Sequence, residues 1–123
     1  FVTAADYLKA QQGRTLFNKA MSDLFLEVDA LVGPSQPITA PPLLANTVDI
    51  NGETIGTTAA LTQYSRPYNI SGTPAISIPC GFSKSGMPIG LQIAGKAYNE
   101  ATVLRIAKAY QDSTTWHQHR PIV

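Results

Sequence analysis

Cysteine is almost missing: the 123 residues contain one, Cys80. A lone thiol closes no internal disulfide, so no oxidised framework holds the fold, and a cytoplasmic setting is expected. Charge is also scarce. Asp, Glu, Lys and Arg supply 14% of the chain, against roughly 25% in an average soluble domain. The net charge is +1, with nine basic residues scattered from Lys9 to Arg120. That spread leaves no basic stripe for phosphates and excludes direct nucleic-acid binding. No apolar run approaches the roughly 18 residues needed to cross a bilayer, and no signal-peptide pattern opens the chain. Missing too are a Gly-rich phosphate loop ending in Lys-Ser/Thr, a Cys-x-x-Cys pair and a Gly-x-Ser-x-Gly elbow. The first residue is Phe1 rather than Met, and the chain reads as a piece of something longer. The shortage of charge agrees, since faces poor in polar groups are normally covered by more protein.

What is present is a succession of helix and strand signals. Thr3 and Asp6 have capping-box spacing, in an Asp variant, at a helix start. Phe17, Ala20, Met21, Leu24, Phe25 and Val28 then form an apolar stripe at helical spacing, interrupted upstream by Gly13 as a close contact or a bend. Ala30-Leu31-Val32 reads as a short buried strand ending at Gly33-Pro34, and Pro34, Pro37, Pro41 and Pro42 make the next stretch a loop. Asn51-Gly52, between Val48-Asp49-Ile50 and Glu53-Thr54-Ile55, signals a hairpin. Thr57 to about Tyr64 predicts a short helix ending before Pro67. Ala75 to Cys80 reads as a strand with Ile76 and Ile78 on one face. Ser83 to Gly86 is a turn, and Ile89, Leu91 and Ile93 mark a second strand. Pro79 implies an edge, a bulge or the end of pairing. Asn99 and Glu100 suit the start of a last helix with Val103, Ile106, Ala107 and Tyr110 buried. The order predicts an α/β fold.

Each polar candidate for chemistry has a plain alternative. Cys80 as a nucleophile requires a base and a lowered pKa; within an apolar strand it reads as a small buried hydrophobe. His117 and His119 are spaced to share one side of an extended chain, yet no further ligands lie near in sequence. Ser71-Gly72-Thr73, between Asn69 and Pro74, is a turn whose N–H groups either meet a ligand or only shape the backbone. Arg66 either pairs with a carboxylate through its planar fork or faces solvent.

The stretch from Arg66 to Gly81, Arg-Pro-Tyr-Asn-Ile-Ser-Gly-Thr-Pro-Ala-Ile-Ser-Ile-Pro-Cys-Gly, resembles the C-terminal signature of amidase-signature enzymes. Met87 to Gly95 looks like that family's following strand, Glu100 to Tyr110 its closing helix and His119-Arg120-Pro121 its chain end. Upstream, Asp6-Tyr7, Ala10 and Arg14, then Asp29 to Ser35, fit the preceding helix and strand. The resemblance covers nearly the whole chain and is weakest from Leu43 to Ala60.

It implies that residues 1–123 are the C-terminal part of one amidase-signature domain, a mixed β-sheet covered by helices. The implied chemistry is hydrolysis of a small-molecule amide through an acyl-serine, with a bridging serine and a lysine, and no metal or cofactor. Those catalytic residues belong to an upstream Gly/Ser-rich segment, so no catalytic role is carried onto this chain. Its partner is then the upstream part of the same enzyme; homo-oligomerisation is left open. The resemblance makes Thr62, Arg66 and Asn69 the substrate-binding candidates. Glutamine-dependent tRNA amidotransferase A subunits, which are similar too, usually have an Asp where Thr62 stands, gripping the amino group of glutamine. Thr62 carries no charge, which favours an amidase over a component of such an amidotransferase. The third alternative is a non-catalytic assembly or binding domain.

Overall fold

The computed structural model describes residues 1–120; Pro121, in the closing resemblance, lies outside them. The first helix, α1 (Ala4–Leu24), starts as expected. Thr3 accepts from the Asp6 N–H at 3.2 Å, and the Asp6 carboxylate accepts from the Thr3 hydroxyl and N–H at 2.7 and 3.3 Å. These bonds satisfy groups that a helix end otherwise leaves open, and they hold the Asp6 carboxyl below its ordinary value of 3.8. Gly13 neither interrupts nor crowds the helix: α1 runs through it, and nothing lies within 4 Å of where a Cβ would sit. The apolar stripe also differs from expectation. No residue within α1 is buried; Phe25, just past its end, is.

Strand β1 (Ala30–Pro34) leads into the proline-rich loop. The hairpin of β2 (Thr47–Ile50) and β3 (Glu53–Gly56) forms where Asn51-Gly52 foretold it. Both turn residues have positive φ, 54° and 87°, as a type I′ turn requires. Short α2 (Thr57–Leu61) follows, then α3 (Arg66–Ser71), β4 (Ala75–Phe82), β5 (Pro88–Gly95) and α4 (Glu100–Ser113). Pro67 does not stop a helix but sits in the first turn of α3, where its missing N–H would have had no intrahelical acceptor. Gly72 ends α3 in the left-handed region at φ 70° and donates to the Tyr68 carbonyl at 2.8 Å.

The main sheet has the order β1-β5-β4, and both pairings are antiparallel. Pairing puts Ile76 opposite Ile93 and Ile78 opposite Leu91, on the face that α4 covers. There Ile78, Ile93, Val103 and Ala107 form the buried cluster, with Ala30, Ile76, Leu91, Ile106 and Tyr110 packed around it. The alternation in β4 and β5 and the face of α4 are thus as expected. β1 is less buried than expected, with Val32 60% exposed on the sheet edge. Pro79 lies at a register shift between Pro79 and Gly81, so β4 is both a sheet edge and bulged. Cys80 falls in that bulge. It is half-buried rather than buried, and its thiol points to the Ile89 carbonyl at 3.5 Å.

Two glycines of β5 exist for close approach. A Cβ on Gly95 would lie 2.6 Å from Val103 Cγ2 of α4. On the opposite face, a Cβ on Gly90 would meet the Ser35 and Ser77 hydroxyls at 2.6 and 2.8 Å. Those hydroxyls hydrogen-bond each other at 2.5 Å across β5, tying the end of β1 to β4.

The accessible surface is 8984 Å², whereas a compact monomer of 13.2 kDa exposes roughly 6,400 Å². Much of the excess is apolar. Leu8 and Leu16 on α1 are 62% and 71% exposed, as is Leu104 on the outer side of α4, at 57%.

Candidate functional site

The three substrate-binding candidates lie on one continuous stretch. Thr62 follows α2 directly, its hydroxyl donating to the Thr58 carbonyl at 2.8 Å, while Arg66 and Asn69 are on α3. Although α2 and α3 are separate helices, hydrogen bonds of helical span link them: Arg66 N–H to Thr62 O at 3.1 Å and Asn69 N–H to Ser65 O at 3.2 Å. At about 100° per residue along such turns, Thr62, Arg66 and Asn69 share one side. Tyr64, Pro67 and Tyr68 share the other.

That second side is engaged. Tyr64, Pro67 and Tyr68 close a cleft of about 290 Å³ against Val32, Gly33 and Pro34 of β1 and Gln92 of β5. The first side is not. Thr62 is half-buried and Arg66 and Asn69 are exposed, and neither of the latter makes a side-chain hydrogen bond among the described residues. Helical spacing thus puts the three candidates on one side of the stretch, where Arg66 and Asn69 are exposed and Thr62 is half-buried. Sequence reading missed the cleft, although Tyr64, Pro67 and Tyr68 stand at i, i+3 and i+4. Treating Pro67 as a terminator hid the pattern.

The other polar candidates are placed as follows. Ser71 donates or accepts with Thr73 at 2.9 Å, closing the turn on itself rather than exposing both hydroxyls. His119 packs against Phe82 and Trp116, with centroids 5.4 and 5.9 Å away, and its Nδ1 lies 3.1 Å from the Thr115 carbonyl. Among the described residues no group of three His, Cys, Asp or Glu is gathered as a metal site. Lys19 and Lys108 form exposed ion pairs with Asp23 and Asp112 one turn along their own helices. The Ser35 and Ser77 hydroxyls bond to one another and to no base among the described residues. Nucleophile, base and oxyanion donors are not assembled together anywhere in the described residues.

The family model for amidases matches residues 2–104. The chain belongs to the amidase family. The glutamyl-tRNA(Gln) amidotransferase A subunit of Shouchella clausii is 41% identical over 122 residues, which is 95% of this chain and 23% of that protein. The chain thus spans about a quarter of the length of the curated relatives it matches. Among solved structures, one from a vestigial protein complex tied to the origins of an s-triazine catabolic enzyme superposes with a TM-score of 0.85. It is 31% identical, with 90% of this chain and 24% of that one covered. A 6-aminohexanoate cyclic dimer hydrolase with bound substrate superposes with a TM-score of 0.85 at 26% identity, over 98% of this chain and 27% of that one. The amidase-signature resemblance and the α/β fold are thereby borne out. Among the described residues no helix is long and apolar enough to cross a membrane.

Proposed function

We propose that this chain is the C-terminal part of an amidase that cleaves the carbon–nitrogen bond of a small carboxamide in the cytoplasm. In this reading an acyl-enzyme forms on a serine, with a second serine and a lysine relaying protons, and all three stand upstream of this chain. Thr62, Arg66 and Asn69 supply one wall of the substrate pocket; the rest of the pocket comes from the upstream part. The observation that carries this is the open face of the Thr62–Asn69 stretch. Its opposite side lines the cleft against the sheet, while on this side the Arg66 guanidinium and the Asn69 amide are exposed with no side-chain hydrogen bond among the described residues, beside a half-buried Thr62. The excess of exposed surface, much of it apolar, supports the same composite arrangement.

A second reading is favoured by a different observation. Identity to amidotransferase A subunits reaches 42%, above the 31% and 26% to the solved structures just described. That reading requires another residue to supply the charge that Thr62 lacks.

The test is ammonia release by the parent enzyme from a panel of neutral, anionic and amino-bearing amides, glutamine included. The amidase reading expects turnover of neutral amides, little of glutamine, and a gain on amino-bearing amides in Thr62→Asp. A carboxylate in a partly desolvated pocket gains from a cationic partner and costs free energy without one. Glutamine as the preferred donor of the unaltered enzyme selects the amidotransferase reading, and no turnover of any amide selects a binding domain. The 123-residue chain alone is expected to release none, because removing a nucleophile and its base costs many orders of magnitude in rate.

A further inference from the structure

We infer that Arg14 is a positioning residue for the substrate-facing side of α3, an inference that rests on the pocket reading just given. Arg14 lies 56 residues before Ile70, yet its Nε–H donates to the Ile70 carbonyl at 2.8 Å. Ile70 is the penultimate residue of α3, and its carbonyl is among those a helix leaves without an intrahelical donor. A guanidinium is suited to that end: it carries the charge that complements the negative pole of the helix, and it is always protonated. In a helix of six residues such an anchor matters more than in a long one, because few internal bonds hold it.

The anchor also decides direction. α3 is held at its start by the Arg66 N–H on the Thr62 carbonyl, while Pro67 and Tyr68 face the sheet across a cleft of about 290 Å³. Neither feature fixes how far its C-terminal end swings out from β1 and β5. The bond to α1 does. Around it Ala10, Gln11, Gly13 and Phe17 of α1 and Ile70 line an open cleft of about 440 Å³, and Ile70 stays 46% exposed, so the contact between the two helices is incomplete beside the hydrogen bond. Arg14 thus aims Arg66 and Asn69 without touching substrate itself.

The experiment uses the parent enzyme with Arg14→Met, which keeps the stem and removes the donor. Hydrogen exchange at the Ser71 and Gly72 amides is expected to accelerate about three- to tenfold, the Ile93 amide of β5 being unchanged, as for loss of one exposed charge-assisted bond. In steady-state kinetics Arg14→Met should raise KM in the direction of Arg66→Ala, and the double variant should be no worse than the stronger single. Unchanged exchange at Ser71 and Gly72 overturns the inference whatever the kinetics. Faster exchange with Arg66→Ala raising KM and Arg14→Met leaving it alone makes Arg14 a structural brace, which overturns the positioning role but spares the pocket reading. Faster exchange with neither Arg66→Ala nor Thr62→Asp altering kinetics removes the pocket from this face, and the positioning role falls with it. Should Arg14→Met fail to fold, Arg14→Lys carries the same expectations at smaller size, because it keeps the charge and loses the planar donor.

Discussion

The seat of α4 on β5 depends on Gly95, and the size of that dependence follows from the geometry. An alanine Cβ at this position would stand 2.6 Å from Val103 Cγ2, where carbon atoms prefer roughly 3.5–4.0 Å. About 1 Å of displacement is therefore needed. Val103 is 3% exposed, and a valine in a helix has one strongly preferred rotamer, so the side chain cannot simply turn away. The helix must lift, and with it Val103 and Ala107 leave Ile78 and Ile93. Overpacking of this kind costs about 1–3 kcal/mol. Val103→Ala removes two buried methyl groups and leaves a void, costing about 2 kcal/mol. If the two effects were independent, the double variant would lose their sum, about 3–5 kcal/mol. If the clash is as drawn, the new methyl fills the void, and the double variant loses no more than Val103→Ala alone. The expected coupling is then at least about 1 kcal/mol. Urea unfolding of the parent enzyme and its variants measures this, with hydrogen exchange at β5 amides as a second probe, since a large enzyme often unfolds in more than one step. Additivity within about 0.5 kcal/mol would refute the reasoning, and so would a Gly95→Ala variant as stable as the unaltered protein.

Two further outcomes are expected. The isolated 123-residue chain should self-associate and bind a hydrophobic dye, because it exposes 8984 Å² where a compact chain of its mass exposes roughly 6,400 Å²; a monodisperse monomer by light scattering, with no dye binding, would count against a composite fold. Asp6 should matter only above acid pH. Hydrogen bonds from the Thr3 hydroxyl and N–H lower its pKa, so its contribution to the α1 N-terminus is present above the ordinary value of 3.8 and is lost as pH falls through the lower folded value. Carboxyl titration followed by NMR should therefore place the Asp6 midpoint below 3.8, and Thr3→Ala should move it back up.

What the sequence disclosed and what it hid divide by the range of the interactions. The Thr3–Asp6 box, the Asn51-Gly52 turn, the alternation through Ile76 and Ile78 and the Val103–Tyr110 face are written within a few residues, and all are found. α3 was hidden because Pro67 carries two opposite meanings, terminator after a helix and first-turn residue within one, and only the hydrogen bonds from Arg66 and Asn69 back to Thr62 and Ser65 decide between them. Cys80 has the composition of a buried strand residue but falls at a bulge, which depends on how β4 registers against β5. Gly90 and Gly95 read as ordinary small residues until Ser35, Ser77 and Val103 arrive from distant positions. Arg14 has no local signal at all, its partner being 56 residues away.

The α1 stripe fails as a burial signal for a reason that bears on the site. Phe17, Met21 and Leu24 have the spacing of a helix face that packs on a core, yet no α1 residue is buried. A sequence pattern reports the environment for which a segment was selected, and in the proposed composite reading the α1 stripe would meet surface outside the described residues. Thr62, Arg66 and Asn69 are in a similar position. One side of their stretch lines a cleft with β1 and β5; on the other, Arg66 and Asn69 are exposed. An exposed polar face of this kind is what the proposed pocket reading expects of one wall whose facing wall is supplied elsewhere. In the proposed reading, the chemistry and the specificity of the parent enzyme would be divided along the chain: the bond-breaking groups upstream, and here one wall that chooses which amide reaches them.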